Sequence, residues 1–192
     1  MTSIAPERRV LADVLGASRL RDASLVVGGA ALTGLLGQVV VPLPFTPVPL
    51  SLGTFAVLLV GATLGPLRGA LSMLLFLGAG VAGVPWFAEQ ASGWQIASLG
   101  YVFGYVAAAW LVGALAAKQR ADRSPWRMAG TAVLATVAVY AGGVPWLMAF
   151  TGMGLGEALL LGVVPFLIGD GLKAVAAAGL LPLTWRLVGR IS

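Results

Sequence analysis

Six apolar runs take up most of this chain and limit what it can fold into. They lie at about 25–41, 52–66, 69–83, 98–117, 129–150 and 158–182. A bilayer core about 30 Å thick takes roughly 20 apolar residues of helix, and only 10% of the residues are charged. The runs show no alternation of period 2, and lipid admits only helices and closed barrels. The sequence therefore predicts an all-α membrane protein, with six transmembrane helices over residues 25–192.

Lys and Arg residues divide unequally between the segments that flank these runs. If the N-terminus is cytoplasmic, eleven of the twelve fall on the cytoplasmic side: Arg8, Arg9, Arg19, Arg21, Arg68, Lys118, Arg120, Arg123, Arg127, Arg186 and Arg190. The segments 42–50, 84–97 and 151–157 lie on the other side and contain no basic residue. Because cytoplasmic loops are rich in Lys and Arg, we expect a multi-pass protein with both termini cytoplasmic. The net charge of +5 is then a topology signal, and no nucleic-acid partner is expected.

Residues 1–24 precede the first apolar run and form a separate cytoplasmic segment in this prediction. They carry four Arg residues and lack the apolar core of about 7 to 15 residues found in a signal peptide. Two structures are open for this segment. It is either a short amphipathic surface helix that uses Val10, Leu11, Val14 and Leu15, or a frayed basic tail.

Asp170 and Lys173 interrupt the sixth apolar run near its middle. A charge at the centre of a spanning helix costs about 2.5–3.5 kcal/mol on insertion scales, so neither side chain is expected to face lipid. A spacing of three places both on one helix face, where they partly neutralise each other. They form either an ion pair that orients the helix or a binding site for a small polar molecule. They are the first candidates for ligand contacts.

Two outer segments supply the other candidates. Four prolines between 42 and 49 exclude a helix and favour a stiff loop, which serves as a lid or as a rigid spacer. Residues 84–105 combine aromatic side chains with a few polar ones, as a small-ligand pocket requires, although an interfacial aromatic belt has the same composition. The candidate ligand contacts in these segments are Phe45, Thr46, Val48, Pro49, Trp86, Phe87, Glu89, Gln90 and Tyr101.

The residue types that are missing exclude most catalytic chemistry. The chain has no Cys and no His, so the usual zinc ligands, Cys nucleophiles and imidazole bases are absent. It contains no GxxxxGK[ST], HExxH or GxSxG string, so a phosphate-binding loop and the common hydrolase motifs are also missing. We therefore expect no catalytic residues, no metal site and no enzymatic activity, and any use of ATP must come from a partner.

Four strings in order along the chain carry a family resemblance: PLPFTPVPLSLGTFAVLL, GPLRGALSMLLFLGAGVAGVPWFA, LGYVFGY and VPFLIGDGLKA. Together they resemble the BioY biotin transporters, the substrate-capture S-components of energy-coupling-factor transporters. The resemblance implies six helices with cytoplasmic termini in a bacterial plasma membrane. It also implies biotin as the transported ligand with no cofactor, and as partners a transmembrane coupling subunit and two cytoplasmic ATPases.

The resemblance also assigns roles to residues. Asp170 and Lys173 match the family's GDxxKA motif, the loop at 42–50 resembles the lid, and Phe87 resembles a residue of the pocket wall. The chain departs from the family at Gly53, where Gln is common. Two alternative functions stay open: an S-component for another small vitamin, and a membrane assembly subunit that does not transport. Self-association of the subunit is left open as a further interaction.

Overall fold

Seven α-helices and one short hairpin build the described part of the chain, residues 10–15 and 18–188 of a computed structural model. The helices are α1 (Arg19–Gly37), α2 (Gly53–Leu64), α3 (Pro66–Val81), α4 (Leu99–Gln119), α5 (Pro125–Thr151), α6 (Leu155–Gly162) and α7 (Phe166–Val188). The hairpin pairs β1 (Val40–Val41) with β2 (Leu50–Ser51), and three 3-10 turns lie at Leu11–Leu15, Ala88–Gln90 and Ala121–Arg123. α1, α4, α5 and α7 are long and apolar enough to cross a membrane. The prediction of a mostly helical membrane protein is confirmed at this level.

Local sequence signals set several of the helix ends. The Ser18 hydroxyl accepts a hydrogen bond from the Arg21 amide and caps α1, which satisfies one of its free backbone donors. Pro66 and Pro125 occupy the first positions of α3 and α5, where the missing N–H costs nothing. α5 ends at Thr151 and is followed by Gly152, whose φ of +77° lies in the left-handed region that glycine adopts without strain.

α2 and α3 are shorter than the other spans. α2 has 12 residues and α3 has 16, so they are about 18 Å and 24 Å long, against a bilayer core of about 30 Å. The chain before α2 forms the hairpin and its Pro-rich tip, residues 42–49. The prediction that this tip is not helical is confirmed. Gly53 and Thr54, at the N-terminus of α2, and residues 48–51 of the hairpin border the same cavity.

The sixth apolar run contains a break that its composition conceals. We expected one helix over 158–182, but α6 ends at Gly162 and α7 begins at Phe166. Pro165 lies between them; it cannot donate a backbone hydrogen bond and it disfavours helical geometry at the preceding residue. The expectation of a continuous helix from 158 is therefore wrong. α7, which carries Asp170 and Lys173, starts directly after the break.

Glycines allow the helices to cross closely around α4, which packs against α2, α3 and α5. A Cβ atom at Gly104 would lie 2.6 Å from Val139 Cα of α5, and one at Gly61 would lie 2.7 Å from the Ala109 carbonyl oxygen. Real Cβ atoms do not approach so closely, so these backbones touch directly. Close approach of this kind replaces the hydrophobic drive that lipid does not provide.

Apart from Lys173, the described basic residues lie in or next to the segments at one end of the bundle: the start of α1, the α2–α3 and α4–α5 connections and the end of α7. Arg68, at the start of α3, lies 2.8 Å from Asp13 and 3.3 Å from Asp22 at the start of α1. Trp185, near the end of α7, donates its indole N–H to Asp122 between α4 and α5. We call this the basic end and the opposite one, which holds the hairpin tip, the hairpin end. Arg8, Arg9 and Arg190 lie outside the described residues.

The segment before α1 is partly described and packs against the bundle. Residues Leu11–Leu15 form a 3-10 turn, and Val10 and Ala12 are buried. The Val10 side chain covers Gly65, between α2 and α3. The candidate surface helix is therefore a single turn of 3-10 helix where it is described, and nothing is described of the Val14 and Leu15 side chains.

Candidate functional site

A cavity lies between the N-terminus of α2, the hairpin tip and α7. Its volume is about 60 Å³, enough for a few water molecules at about 10–15 Å³ each. Residues from six helices and two loops line it: Gly37, Val48, Pro49, Leu50, Ser51, Gly53, Thr54, Phe76, Phe87, Ala88, Ser98, Tyr101, Val102, Tyr105, Val139, Tyr140, Phe166, Asp170 and Lys173. The walls are mainly apolar, and the charged groups converge at one place, as in small-ligand sites generally.

The charged groups form one hydrogen-bonded cluster. The Lys173 ammonium lies 3.0 Å from Asp170 Oδ1 and donates to the Thr54 hydroxyl at 2.7 Å. The Thr54 hydroxyl in turn lies 3.4 Å from Asp170 Oδ1. The Tyr140 hydroxyl donates to the other carboxylate oxygen, Oδ2, at 2.5 Å. We call these four residues the Asp170 cluster; they join α2, α5 and α7.

The charged side chains of the Asp170 cluster are buried, so each needs a partner within the protein. The Lys173 and Asp170 side chains are 8% and 10% exposed, and charges buried to this extent are stable only when they are paired and hydrogen-bonded. Both conditions hold here. An ammonium has three N–H donors and Lys173 uses two of them within the cluster, so the third is available to a ligand in the cavity.

The hairpin tip closes the cavity and is tied to the break in the sixth run. Val48 is 4% exposed and, with Pro49, lines the cavity. The Thr46 hydroxyl donates to the Leu161 carbonyl oxygen at 2.8 Å and accepts from the Val48 amide at 3.3 Å. Leu161 lies in the last turn of α6. One hydroxyl therefore fixes the tip internally and links it to the segment that leads into α7.

Aromatic side chains of the wall rest directly on glycines. A Cβ atom at Gly80 would collide with the ring of Phe87, and one at Gly143 would collide with the ring of Tyr101. Phe87 is 1% exposed, and the Tyr101 hydroxyl donates to the Gly162 carbonyl oxygen at 2.8 Å. Because each ring fits only where a side chain is missing, the glycines fix the shape of the wall.

Several predicted contacts are placed away from the cavity. Phe45 is 57% exposed, and the Trp86 indole donates to the Phe76 carbonyl oxygen at 2.8 Å instead of lining the cavity. Glu89 and Gln90 have φ values of +61° and +57° and lie in a turn outside the lining residues. This turn positions Phe87 and Ala88, which line the cavity. The polar side chains of Glu89 and Gln90 do not line it.

Gln38, at the end of α1, holds that turn in place. Its side-chain amide donates to the carbonyl oxygens of Trp86 and Phe87, both at 2.9 Å, and its side-chain carbonyl accepts from the Gln90 amide at 3.1 Å. Three backbone groups of an irregular segment are thereby satisfied by one side chain. Phe87 thus reaches the cavity through a contact that sequence analysis did not find.

A model of the BioY family matches residues 8–190. The chain belongs to the BioY family. The resemblance drawn from the four motifs is confirmed.

Curated members of this family are similar to the chain over part of its length. The biotin transporter BioY of Thermotoga maritima is 33% identical over 107 residues, 54% of this chain and 62% of that protein. The probable biotin transporter BioY of Pyrococcus horikoshii is 36% identical over 100 residues, 50% of this chain and 59% of that protein. The alignments thus span less than two thirds of these relatives. These proteins are described as transporters, and the prediction of a transporter family rather than an enzyme family is confirmed.

A solved structure shares the fold. The crystal structure of the S-component for biotin from an ECF-type ABC transporter superposes with a TM-score of 0.78, at 22% identity, covering 88% of this chain and 92% of that one. At this identity the likeness establishes the fold. The described residues of this BioY-family chain contain no group of three or more His, Cys, Asp or Glu side chains that could hold a metal ion.

The cavity contains six of the eleven predicted contacts: Val48, Pro49, Phe87, Tyr101, Asp170 and Lys173. Thr46 lies within the lid, where it bonds to the Val48 amide and to Leu161 of α6, and it does not line the cavity. Sequence analysis missed Thr54 and Tyr140 because each lies on a different helix from Asp170, and only the fold brings them together. The one signal for them in the sequence is that each is a polar residue inside an apolar run. Several other residues of the chain share this property, so it does not single them out.

Proposed function

We propose that this chain is the biotin-binding subunit of an energy-coupling-factor transporter, which captures biotin at the outer face of a bacterial plasma membrane. The observation that carries the proposal is the Asp170 cluster at the base of an apolar cavity under a proline-rich lid. The chain's membership of the BioY family and its fold support the same function. Biotin in this proposal is a transported ligand and not a cofactor.

The chemistry of the cluster complements a ureido group. A carboxylate accepts hydrogen bonds from N–H groups, and an ammonium donates to a carbonyl oxygen. Asp170 and Lys173 place these two functions 3.0 Å apart, so a neutral –NH–CO–NH– group meets an acceptor and a donor together. Hydrogen bonds to charged groups in a dry site contribute more than those between neutral groups. The rings of Phe87 and Tyr101 would pack against the apolar part of the ligand.

Entry of the ligand requires the lid to move. The cavity volume of about 60 Å³ is far below the roughly 300–1,000 Å³ of sites that enclose drug-sized ligands. The hairpin tip is the covering element that lies outside the helices, and the Thr46 bond to Leu161 is its polar link to the sixth run. We infer that this bond opens when biotin enters and reforms over the bound ligand.

The proposed topology has six spans, with α6 and α7 together forming an interrupted sixth span. Both termini and the basic end face the cytoplasm, because Lys and Arg accumulate on that side. α2 and α3 span the bilayer with the help of the hairpin and the turn at 82–98. The partners are a transmembrane coupling subunit and two cytoplasmic ATPases, which supply the phosphate-binding loop that this sequence lacks. Self-association is a further property to test.

Binding of labelled biotin to the detergent-purified chain tests the proposal. We expect saturable binding that unlabelled biotin displaces and that other vitamins, added in the same excess, do not. Absence of saturable biotin binding would contradict the proposal. Displacement by a different vitamin alone would instead assign the chain to another ligand. A chain that binds biotin but gives no biotin uptake, in cells that also contain the coupling subunit and the ATPases, would be an assembly subunit.

A further inference from the structure

We propose that Tyr140 is the positioning residue that holds the Asp170 carboxylate in the orientation needed to bind the ligand. This inference rests on the proposed function, because it names a residue that acts on the same ligand through Asp170. Tyr140 lies on α5 and Asp170 on α7. Their contact links two helices that are separated along the chain by α6 and by the break at Pro165.

The carboxylate needs two anchors to define its plane. The terminal torsion of an Asp side chain is broad, so one bonded oxygen leaves the other free to swing. Lys173 and Thr54 both bond to Oδ1, whereas Oδ2 bonds to the Tyr140 hydroxyl at 2.5 Å. Among the described residues, Tyr140 is the only hydrogen-bond donor to Oδ2 in the structure. Its hydroxyl therefore fixes the second oxygen and, with it, the direction of the free lone pairs.

The Tyr140 hydroxyl is a close donor to the carboxylate. Its distance of 2.5 Å from Asp170 Oδ2 lies at the short end of the range for O–H···O hydrogen bonds. The Tyr140 proton points to Asp170, so toward the cavity this hydroxyl offers only acceptor capacity. A ligand N–H can then meet the carboxylate without competition from a mobile hydroxyl proton.

Tyr140 is itself held by neighbouring side chains. Its ring lies edge-on to the ring of Tyr101, with centroids 6.3 Å apart and an interplanar angle of 88°, a favourable geometry for aromatic pairs. The Tyr101 hydroxyl is fixed on the Gly162 carbonyl oxygen at the end of α6. The orientation of Asp170 is thus set by α4 and α5 as well as by its own helix.

A double-mutant cycle separates positioning from a general structural effect. Tyr140→Phe removes the hydroxyl and keeps the ring, and we expect biotin affinity to fall about tenfold or more. In the Asp170→Asn background we expect the same substitution to change affinity less than about twofold, since coupled residues are not additive. Thr151→Val removes a hydroxyl that bonds within α5 to the Leu147 carbonyl oxygen and lies outside the cavity-lining residues, so its effect should be equal in both backgrounds. Equal effects of Tyr140→Phe in both backgrounds would overturn the inference.

A second measurement does not depend on any ligand. In infrared spectra of protein labelled with ¹³C-aspartate, the carboxylate band that disappears in Asp170→Asn belongs to Asp170. We expect Tyr140→Phe to shift this band and Thr151→Val, which removes a hydroxyl bonded to Leu147 within α5, to leave it in place. An unshifted band in Tyr140→Phe would overturn the inference, whereas loss of biotin binding in the unmodified protein alongside a shifted band would contradict only the proposed function.

Discussion

Two clusters of oppositely charged side chains among the described residues, one beside the cavity and one at the basic end, differ in the amount of water that reaches them. Lys173 and Asp170, beside the cavity, are 8% and 10% exposed at a separation of 3.0 Å. Arg68, at the basic end, lies 2.8 Å from Asp13 and 3.3 Å from Asp22, with side-chain exposures of 21%, 32% and 41%. The distances are alike, and burial is the property that separates the two clusters.

The difference in burial predicts losses of stability of different size when one charge of a pair is removed. Exposed ion pairs contribute about 0–1 kcal/mol, because water screens them and the side chains lose freedom. Removing one partner of a buried pair costs about 3–5 kcal/mol, because the remaining charge is left without compensation. A separation near 3 Å therefore says little about function, whereas a buried and fully bonded pair beside a cavity indicates a ligand site.

The largest effect is expected from Lys173→Met, which keeps most of the side-chain volume and removes the charge. Asp170 is then left buried without its cation. We expect biotin affinity to fall by about 30-fold to 1,000-fold, or roughly 2–4 kcal/mol, for the lost charge-assisted contact. We also expect a clear drop in thermal stability in detergent. Labelled-biotin binding and thermal unfolding of the same preparations measure the two effects.

A double variant separates binding from folding in this experiment. Lys173→Met combined with Asp170→Asn removes both charges, and neutral replacement of a buried pair is often tolerated. We expect thermal stability to recover and biotin binding to stay weak. Unchanged affinity in the single variants would mean that the pair only orients α7.

The sequence was sufficient to find Asp170 and Lys173 because a charge inside an apolar run is conspicuous and a spacing of three defines a helix face. It was sufficient for Val48 and Pro49 because prolines exclude a helix. It did not reveal Tyr140 or the break before α7, since both depend on packing between distant segments. Such contacts have no periodicity that a single sequence can display.

The aromatic segment shows the opposite failure. Its composition favoured four contacts, Trp86, Phe87, Glu89 and Gln90. Phe87 lines the cavity, and the other three lie outside the lining residues. The deciding factor is the Gln38 amide, which fixes the backbone of this turn from 48 residues away along the chain. Side-chain direction in an irregular segment is set by such tertiary contacts, and composition reports only which residue types are near a site.

The next effect concerns the lid, where we expect faster release of biotin. Thr46→Val removes the hydroxyl bonded to Leu161 and keeps the side-chain shape, and a hydrogen bond of about 1 kcal/mol corresponds to roughly fivefold. Replacing Pro47 and Pro49 by Gly should act in the same direction, because a flexible tip has more entropy to lose on closing. Dissociation rates of labelled biotin measure both changes.

A matched control for the lid is Thr184→Val, which removes a hydroxyl bonded within α7 far from the cavity. We expect its release rate to equal that of the unmodified chain. Equal release from Thr46→Val and Thr184→Val would reduce the tip to a spacer between α1 and α2.

A smaller effect is expected at Asp122, a buried carboxylate at the basic end. Burial raises the pKa of Asp122 above its usual value of 3.8, although the hydrogen bond from Trp185 and the nearby Arg123 act against this shift. The folded chain therefore binds this proton more readily than the unfolded chain, so the site favours folding at low pH and loses that contribution as pH rises through the raised pKa. We expect the stability of Asp122→Asn, relative to the unmodified protein, to grow with pH across that window. A difference in melting temperature that is constant with pH would contradict this expectation.

The smallest effect is expected from Arg68→Met, the counterpart of Lys173→Met at the exposed cluster. Asp13 and Asp22 remain in contact with water when the guanidinium is lost, so their charges need no replacement partner. We expect the free energy of unfolding to fall by at most about 1 kcal/mol and biotin affinity to stay unchanged, measured by unfolding and binding under the conditions used for Lys173→Met. Added salt should reduce the small stability loss further, since exposed charges are screened. A stability loss equal to that of Lys173→Met would show that burial does not distinguish the two clusters and would remove the argument that assigns ligand binding to only one of them.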